Sequence, residues 1–157
     1  MDGARGLSDK LRAEGERVAA FFGGLEPDAW SRQVYAESAV WTVRSVLAHL
    51  ATSERAFLTQ LFPKVRAGLG GSSEDFSIDR YNARQQERTG SSEPAELLEL
   101  YKSTRRDMAD WVAGLLPEEL DQRGRHPYLG VTSLREMIKM VYLHNKMHLR
   151  DVKASFE

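Results

Sequence analysis

Four stretches of this chain repeat apolar residues at spacings of three and four, and no stretch of useful length alternates apolar and polar with a period of two. Positions three and four apart share one face of a helix, so each stretch has a face to bury and needs other helices to bury it against. The first runs through Leu7, Leu11, Val18 and Phe22 and stops at Gly23 and Gly24. The second starts at Thr42, a residue able to cap a helix, and carries Val43, Val46, Leu47, Leu50, Phe57, Leu58, Leu61 and Phe62 on one broad face. Pro63 is expected to bend or end it, and Gly68, Gly70 and Gly71 close the segment. The third, through Leu97, Tyr101, Thr104, Met108, Trp111 and Leu115, is a seam that stops at Pro117. The fourth opens at Ser133, with Glu136 placed for a capping box, and its stripe reads Leu134, Met137, Ile138, Val141, His144, His148, Val152.

The segments between the stripes are polar. Glu26 to Val40 connects the first two; residues 72–92 read as a long connection with one helical turn; residues 116–131 form a second long connection. At 157 residues the chain suffices for one core. The expectation is therefore all-α: a single-domain four-helix bundle over residues 1–157, with two longer connections.

Composition narrows the function classes. A net charge of −1 with no long basic run argues against a nucleic-acid footprint. No apolar run approaches a membrane span, and the charged N-terminus has no signal-peptide core. The absence of cysteine removes disulfides, thiolate ligands and a thiol nucleophile, and agrees with a cytoplasmic location. Any thiolate would have to come from a small-molecule cosubstrate.

Histidine at two slots of a core-facing stripe is the chemically informative departure. His144 and His148 are one turn apart and present two imidazoles to one point. Two adjacent buried imidazoles need partners for four ring nitrogens, and a shared cation removes that difficulty. His49, beside Leu50 on the second stripe, is by itself more often the pattern of a satisfied core or boundary residue than of a ligand, though it can point into the bundle as a third ligand from a facing helix. Three imidazoles would leave an open position on a transition metal for water or substrate. The spacing invites comparison with the His-Glu-x-x-His of zinc proteases, but Asn145 stands where the general base would be, and that reading fails. His126 precedes Pro127 in a connection and reads as structural or solvent-exposed. Ser45, Ser53 and Asp151 are candidates to orient the imidazoles, with Asp151 read rather as an ordinary surface charge. Trp41 is expected to pack at the start of the second helix, and Trp111 in the core.

Three pieces in order resemble the DinB-like (DinB/YfiT) superfamily: Trp41-Thr-Val-Arg-Ser-Val-Leu-Ala-His49-Leu with Ser53-Glu54-Arg55; Asp79-x-Tyr81-Asn82; and His126-Pro-x-x-Gly130-x-x-Ser133-Leu-Arg-Glu136 leading into His144-x-x-x-His148. The resemblance spans nearly the whole chain. It implies an up-down-down-up bundle holding zinc or nickel on His49, His144 and His148, commonly as a homodimer. Some members look like transferases that join a low-molecular-weight thiol, such as bacillithiol or mycothiol, to a small electrophile. A non-catalytic stress-related binding protein with a structural metal is the alternative. Asn145 departs from many relatives, where an acidic residue is frequent, and that position should face away from the metal.

Overall fold

A computed structural model of the chain describes residues 3–37 and 39–157, so Met1, Asp2 and Ser38 fall outside the described part of the expected 1–157 domain. Its elements are helix α1 (Ala4–Gly23), strands β1 (Gln33–Tyr35) and β2 (Trp41–Thr42), helices α2 (Val43–Ala56), α3 (Phe62–Arg66), α4 (Ile78–Arg88), α5 (Pro94–Ala113) and α6 (Pro117–Leu120), strands β3 (Arg123–His126) and β4 (Gly130–Ser133), and helix α7 (Leu134–Ala154).

The long helices pack as a bundle whose directions follow from their contacts. Ser8 Oγ donates to the Ala109 carbonyl while Gly23 lies against Leu98, so α1 and α5 are antiparallel. Arg44 reaches the Thr89 and Ser92 carbonyls just ahead of α5, and Glu54 meets Arg105 further on, so α2 and α5 run together. Glu54 meets Asn145 whereas His49, earlier in α2, also touches the later His148, so α2 opposes α7. The order is up-down-down-up.

Packing divides the core in two. One cluster joins Leu7 and Leu11 to Met108, Met137, Ile138 and Val141; the other joins Val18 and Phe22 to Val46, Leu47, Leu97 and Val152. A buried polar layer lies at the level between them. Arg105 donates from Nε to Glu54 Oε1 (2.8 Å) and from Nη1 to Glu14 Oε2 (2.6 Å). Asn145 Nδ2 donates to Glu54 Oε2 (2.8 Å), and its Oδ1 accepts from Tyr101 (2.6 Å). Hydrogen-bonded across four helices, with only Glu14 Oε1 of its carboxylate oxygens left unpaired, such a layer sets the helix register that an all-apolar seam leaves freer.

The caps form at the expected residues. Thr42 Oγ1 accepts from the Ser45 amide (3.2 Å), and Ser45 Oγ accepts from the Thr42 amide (3.1 Å). Ser133 Oγ accepts from the Glu136 amide (3.2 Å), but the Glu136 carboxylate turns to Lys139 (3.5 Å), leaving that capping box half made.

Of the two outcomes expected at Pro63, bending or ending, the helix does not end there: a π-helical turn over Phe57–Leu61 precedes it, and α3 carries on with Pro63 in its first turn. The wider turn accommodates a residue with no N–H and a bulky ring. Residues 72–92 hold the eleven-residue α4, not a single turn. Ser77 caps it, Asp79 and Arg88 sit at the ends its dipole favours, and none of its residues is buried. It therefore has no apolar stripe to read, and it docks on α2 through Gln86 Nε2 donating to the Ser45 carbonyl (2.8 Å). Strands also exist, as two antiparallel hairpins, each strand too short to show an alternating pattern.

The β3–β4 hairpin is seated on the loop after α3 by backbone contact. Ser72 N donates to the Arg125 carbonyl (2.8 Å), and a Cβ at Gly124 would lie 2.2 Å from the Gly70 oxygen. Gly124→Ala is expected to cost about 2 kcal/mol or more through this overlap. Urea denaturation checks it, and an unchanged midpoint would contradict the close approach. No helix among the described residues is long and apolar enough to cross a membrane.

Candidate metal centre

His49 projects from α2 and His144 and His148 from α7, and the packing of these antiparallel helices brings the three imidazoles together. His144 Nε2 lies 3.1 Å from His49 Nε2 and 2.9 Å from His148 Nε2, and the ligand nitrogens all fall within 4.8 Å of one another. Tetrahedral zinc with nitrogen ligands has ligand–ligand edges of about 3.3 Å, close to the two separations from His144 Nε2.

Outer hydrogen bonds aim the lone pairs inward. Tyr35 donates its phenolic proton to Asp151 Oδ2 (2.5 Å), so its oxygen accepts from Nδ1–H of His148 (2.8 Å). That leaves the His148 Nε2 lone pair directed at the other rings. Ser53 Oγ, 3.3 Å from His49 Nδ1, is placed to do the same for His49. Converging lone pairs repel unless a proton or cation sits among them, and the set of neutral imidazoles suits a divalent transition metal.

Burial keeps these rings neutral. It pushes His49 well below the usual imidazole value, with His144 and His148 adding to the shift. Burial likewise lowers His144, against the opposing charge of Glu54, and takes His148 down to about 4, helped by His144 and opposed by Asp151. Tyr35 is raised by burial and by its Asp151 partner, so it remains a phenol donor. In the unfolded chain each histidine titrates near 6.5, so as pH falls below that value the unfolded state takes up protons the folded state refuses. Metal-free protein is therefore expected to lose stability between pH 6.5 and 4. His126 and His148, each lowered to about 4, would contribute on the order of 3 kcal/mol apiece at the acid end. Melting temperatures measured across that range check the sign; a flat profile would contradict neutral burial.

The imidazoles open on a cavity of about 870 Å³ walled by Trp41, Phe57, Leu61, Phe76 and Met140. Trp41 does more than pack at a helix start: its ring centroid is 5.0 Å from that of His49. Ser45 serves the α2 cap, not an imidazole. Asp151 is no free surface charge, and it acts on His148 through Tyr35. Sequence reading missed Tyr35 because a tyrosine in a polar connection carries no periodicity; the β1–β2 hairpin folds it back onto α7. Trp111 stacks on Phe62 at the edge of the core, away from the cavity. Asn145 faces away from the imidazoles into the buried polar layer, as expected.

His126, the fourth histidine, is buried and not solvent-exposed. Only 3 % of it is accessible, it lies 5.2 Å from the Phe57 ring, and it borders the cavity. Burial, with a smaller effect of His144, holds it at about 4.

Fold and site together define a four-helix bundle with three inward imidazoles lining a mostly apolar cavity. The sequence model of the DinB superfamily matches residues 10–152, and the chain belongs to that superfamily. Among solved structures it is similar to YfiT from Bacillus subtilis, described as "a probable metal-dependent hydrolase with an unusual four-helix bundle topology". That likeness has a TM-score of 0.69 at 16% identity, over 94% of this chain and 85% of YfiT, and it concerns the fold. No curated protein sequence matches the chain.

Proposed function

We propose that His49, His144 and His148 hold one divalent transition metal, zinc or nickel, and that the protein is a metal-dependent enzyme acting on a small electrophile in the adjoining cavity. The observation that carries this is the convergence of three imidazole nitrogens, two of them on rings oriented by outer hydrogen bonds, on a cavity large enough for a small organic molecule. A bound divalent cation supplies the positive charge that acidifies water or a thiol and polarises an oxygen of the electrophile. The chain's own residues do the rest. Tyr35 and Asp151 hold the His148 ring in one tautomer, Ser53 holds His49, and the aromatic walls keep bulk water off the electrophile.

The nucleophile in this reading is a low-molecular-weight thiol, which the protein must borrow because it has no cysteine. The description of YfiT favours water as the alternative nucleophile. Zinc- and nickel-loaded protein, incubated with an electrophile panel with and without bacillithiol or mycothiol, separates the two: thiol-dependent adducts mark transfer, thiol-independent products mark hydrolysis. His148→Ala is expected to abolish either. Absence of turnover in both arms, with a sharp fall in melting temperature on chelation, would make the metal structural and overturn the enzymatic reading.

A further inference from the structure

We infer that His126 is a substrate-positioning residue whose Nε2–H donates a hydrogen bond to an acceptor oxygen of the ligand, so that the cavity takes a small molecule with an apolar body and a carboxylate or carbonyl head. This rests on the reading that the cavity is the substrate site.

The geometry settles where the ring carries its proton. His126 Nδ1 accepts from the backbone amides of Tyr128 (3.0 Å) and Leu129 (3.1 Å). A nitrogen that accepts carries no hydrogen, so the neutral ring carries its hydrogen on Nε2. Nε2 is buried and has no partner among the described residues, although most buried polar atoms in native proteins are paired. The residue borders the cavity, and Nε2 sits on the ring edge opposite the turn. An N–H kept dry and unpaired beside a cavity is pre-organised for an acceptor that arrives with the ligand.

The backbone holds this donor in place from both sides. The turn over 127–129 grips Nδ1, and the next residue back, Arg125, offers its carbonyl to the Ser72 amide (2.8 Å) and Ser72 Oγ (2.9 Å). His126 lies outside the three-imidazole cluster, so it is free to bind ligand while the others hold metal. The remaining walls, among them Trp41, Phe57 and Phe76, match an apolar body.

Phenylacetate, with an aromatic body and a carboxylate, is the probe, and phenethylamine, of similar shape without an acceptor oxygen, is its control. NMR spectra correlating imidazole nitrogens with ring protons are recorded on wild-type protein, metal-free and zinc-loaded, during titration with each. At neutral pH, Nε2 of His126 is expected to be the protonated nitrogen, and its proton to move downfield with phenylacetate and not with phenethylamine. His126→Phe is expected to weaken phenylacetate binding about tenfold with zinc stoichiometry unchanged. Because that variant also removes the acceptor of the turn, His126→Gln, which retains an acceptor and a donor, is expected to recover most of the affinity. A proton on Nδ1, failure of phenylacetate to bind, or saturation that leaves Nε2–H unmoved overturns the inference. A response in metal-free protein that takes up no zinc supports the donor role and counts instead against the metal-dependent function.

Discussion

His144→Ala is expected to abolish binding of zinc or nickel and to bring the melting temperature of protein offered metal down to that of metal-free wild type. His144 Nε2 sits between the other two, 3.1 Å from His49 and 2.9 Å from His148, so its loss leaves two imidazoles with nothing joining them. A metal present at a thousandfold excess over its dissociation constant stabilises the folded state by about 4 kcal/mol, and the variant would forfeit all of it. Elemental analysis of protein purified without an affinity tag, paired with melting curves with and without chelator, reads both effects. Retention of one metal per chain in the variant would refute the assignment.

The other large effect lies in the buried polar layer. Glu54→Ala removes the carboxylate that accepts from Arg105 Nε (2.8 Å) and Nη2 (3.1 Å) and from Asn145 Nδ2 (2.8 Å). Arg105 is 3 % exposed and would keep only Glu14 as a carboxylate partner. Breaking a buried pair from one side typically costs about 3–5 kcal/mol, because the remaining charge stays desolvated. Chemical denaturation measures it, and a loss under about 1 kcal/mol, the range of an exposed pair, would show that the layer is hydrated or can rearrange. Asn145 explains itself in the same layer. Its amide both donates to Glu54 and accepts from Tyr101, whereas an acidic residue there would face the Glu54 carboxylate at hydrogen-bond distance.

The two effects are linked by α7. Asn145 is the residue after His144, so the polar layer that sets the register between α2 and α7 also sets the height of His49 against His144 and His148. One helix face carries the ligands, and the adjacent residue locks the depth at which they meet. This makes the layer a support for the site as well as for the core.

What the amino-acid sequence determines by itself is whatever depends on a few neighbouring residues. The four amphipathic helices, the Thr42 cap and the pairing of His144 with His148 on one face all follow from a 3.6-residue period and from side chains that reach their own backbone. The place of His49 does not follow from periodicity; only the resemblance to relatives picked it out, since a lone histidine beside an apolar stripe looks the same whether it ligates or packs. Helix α4 left no mark because none of its residues is buried. The Tyr35 link from Asp151 to His148 joins residues 116 and 113 positions apart, and His126, with its Nε2 unpaired, is carried by a hairpin seated on the distant loop after α3. Only the tertiary structure decided those, because contacts between distant segments depend on helix register and loop placement, and no local pattern of residues encodes either.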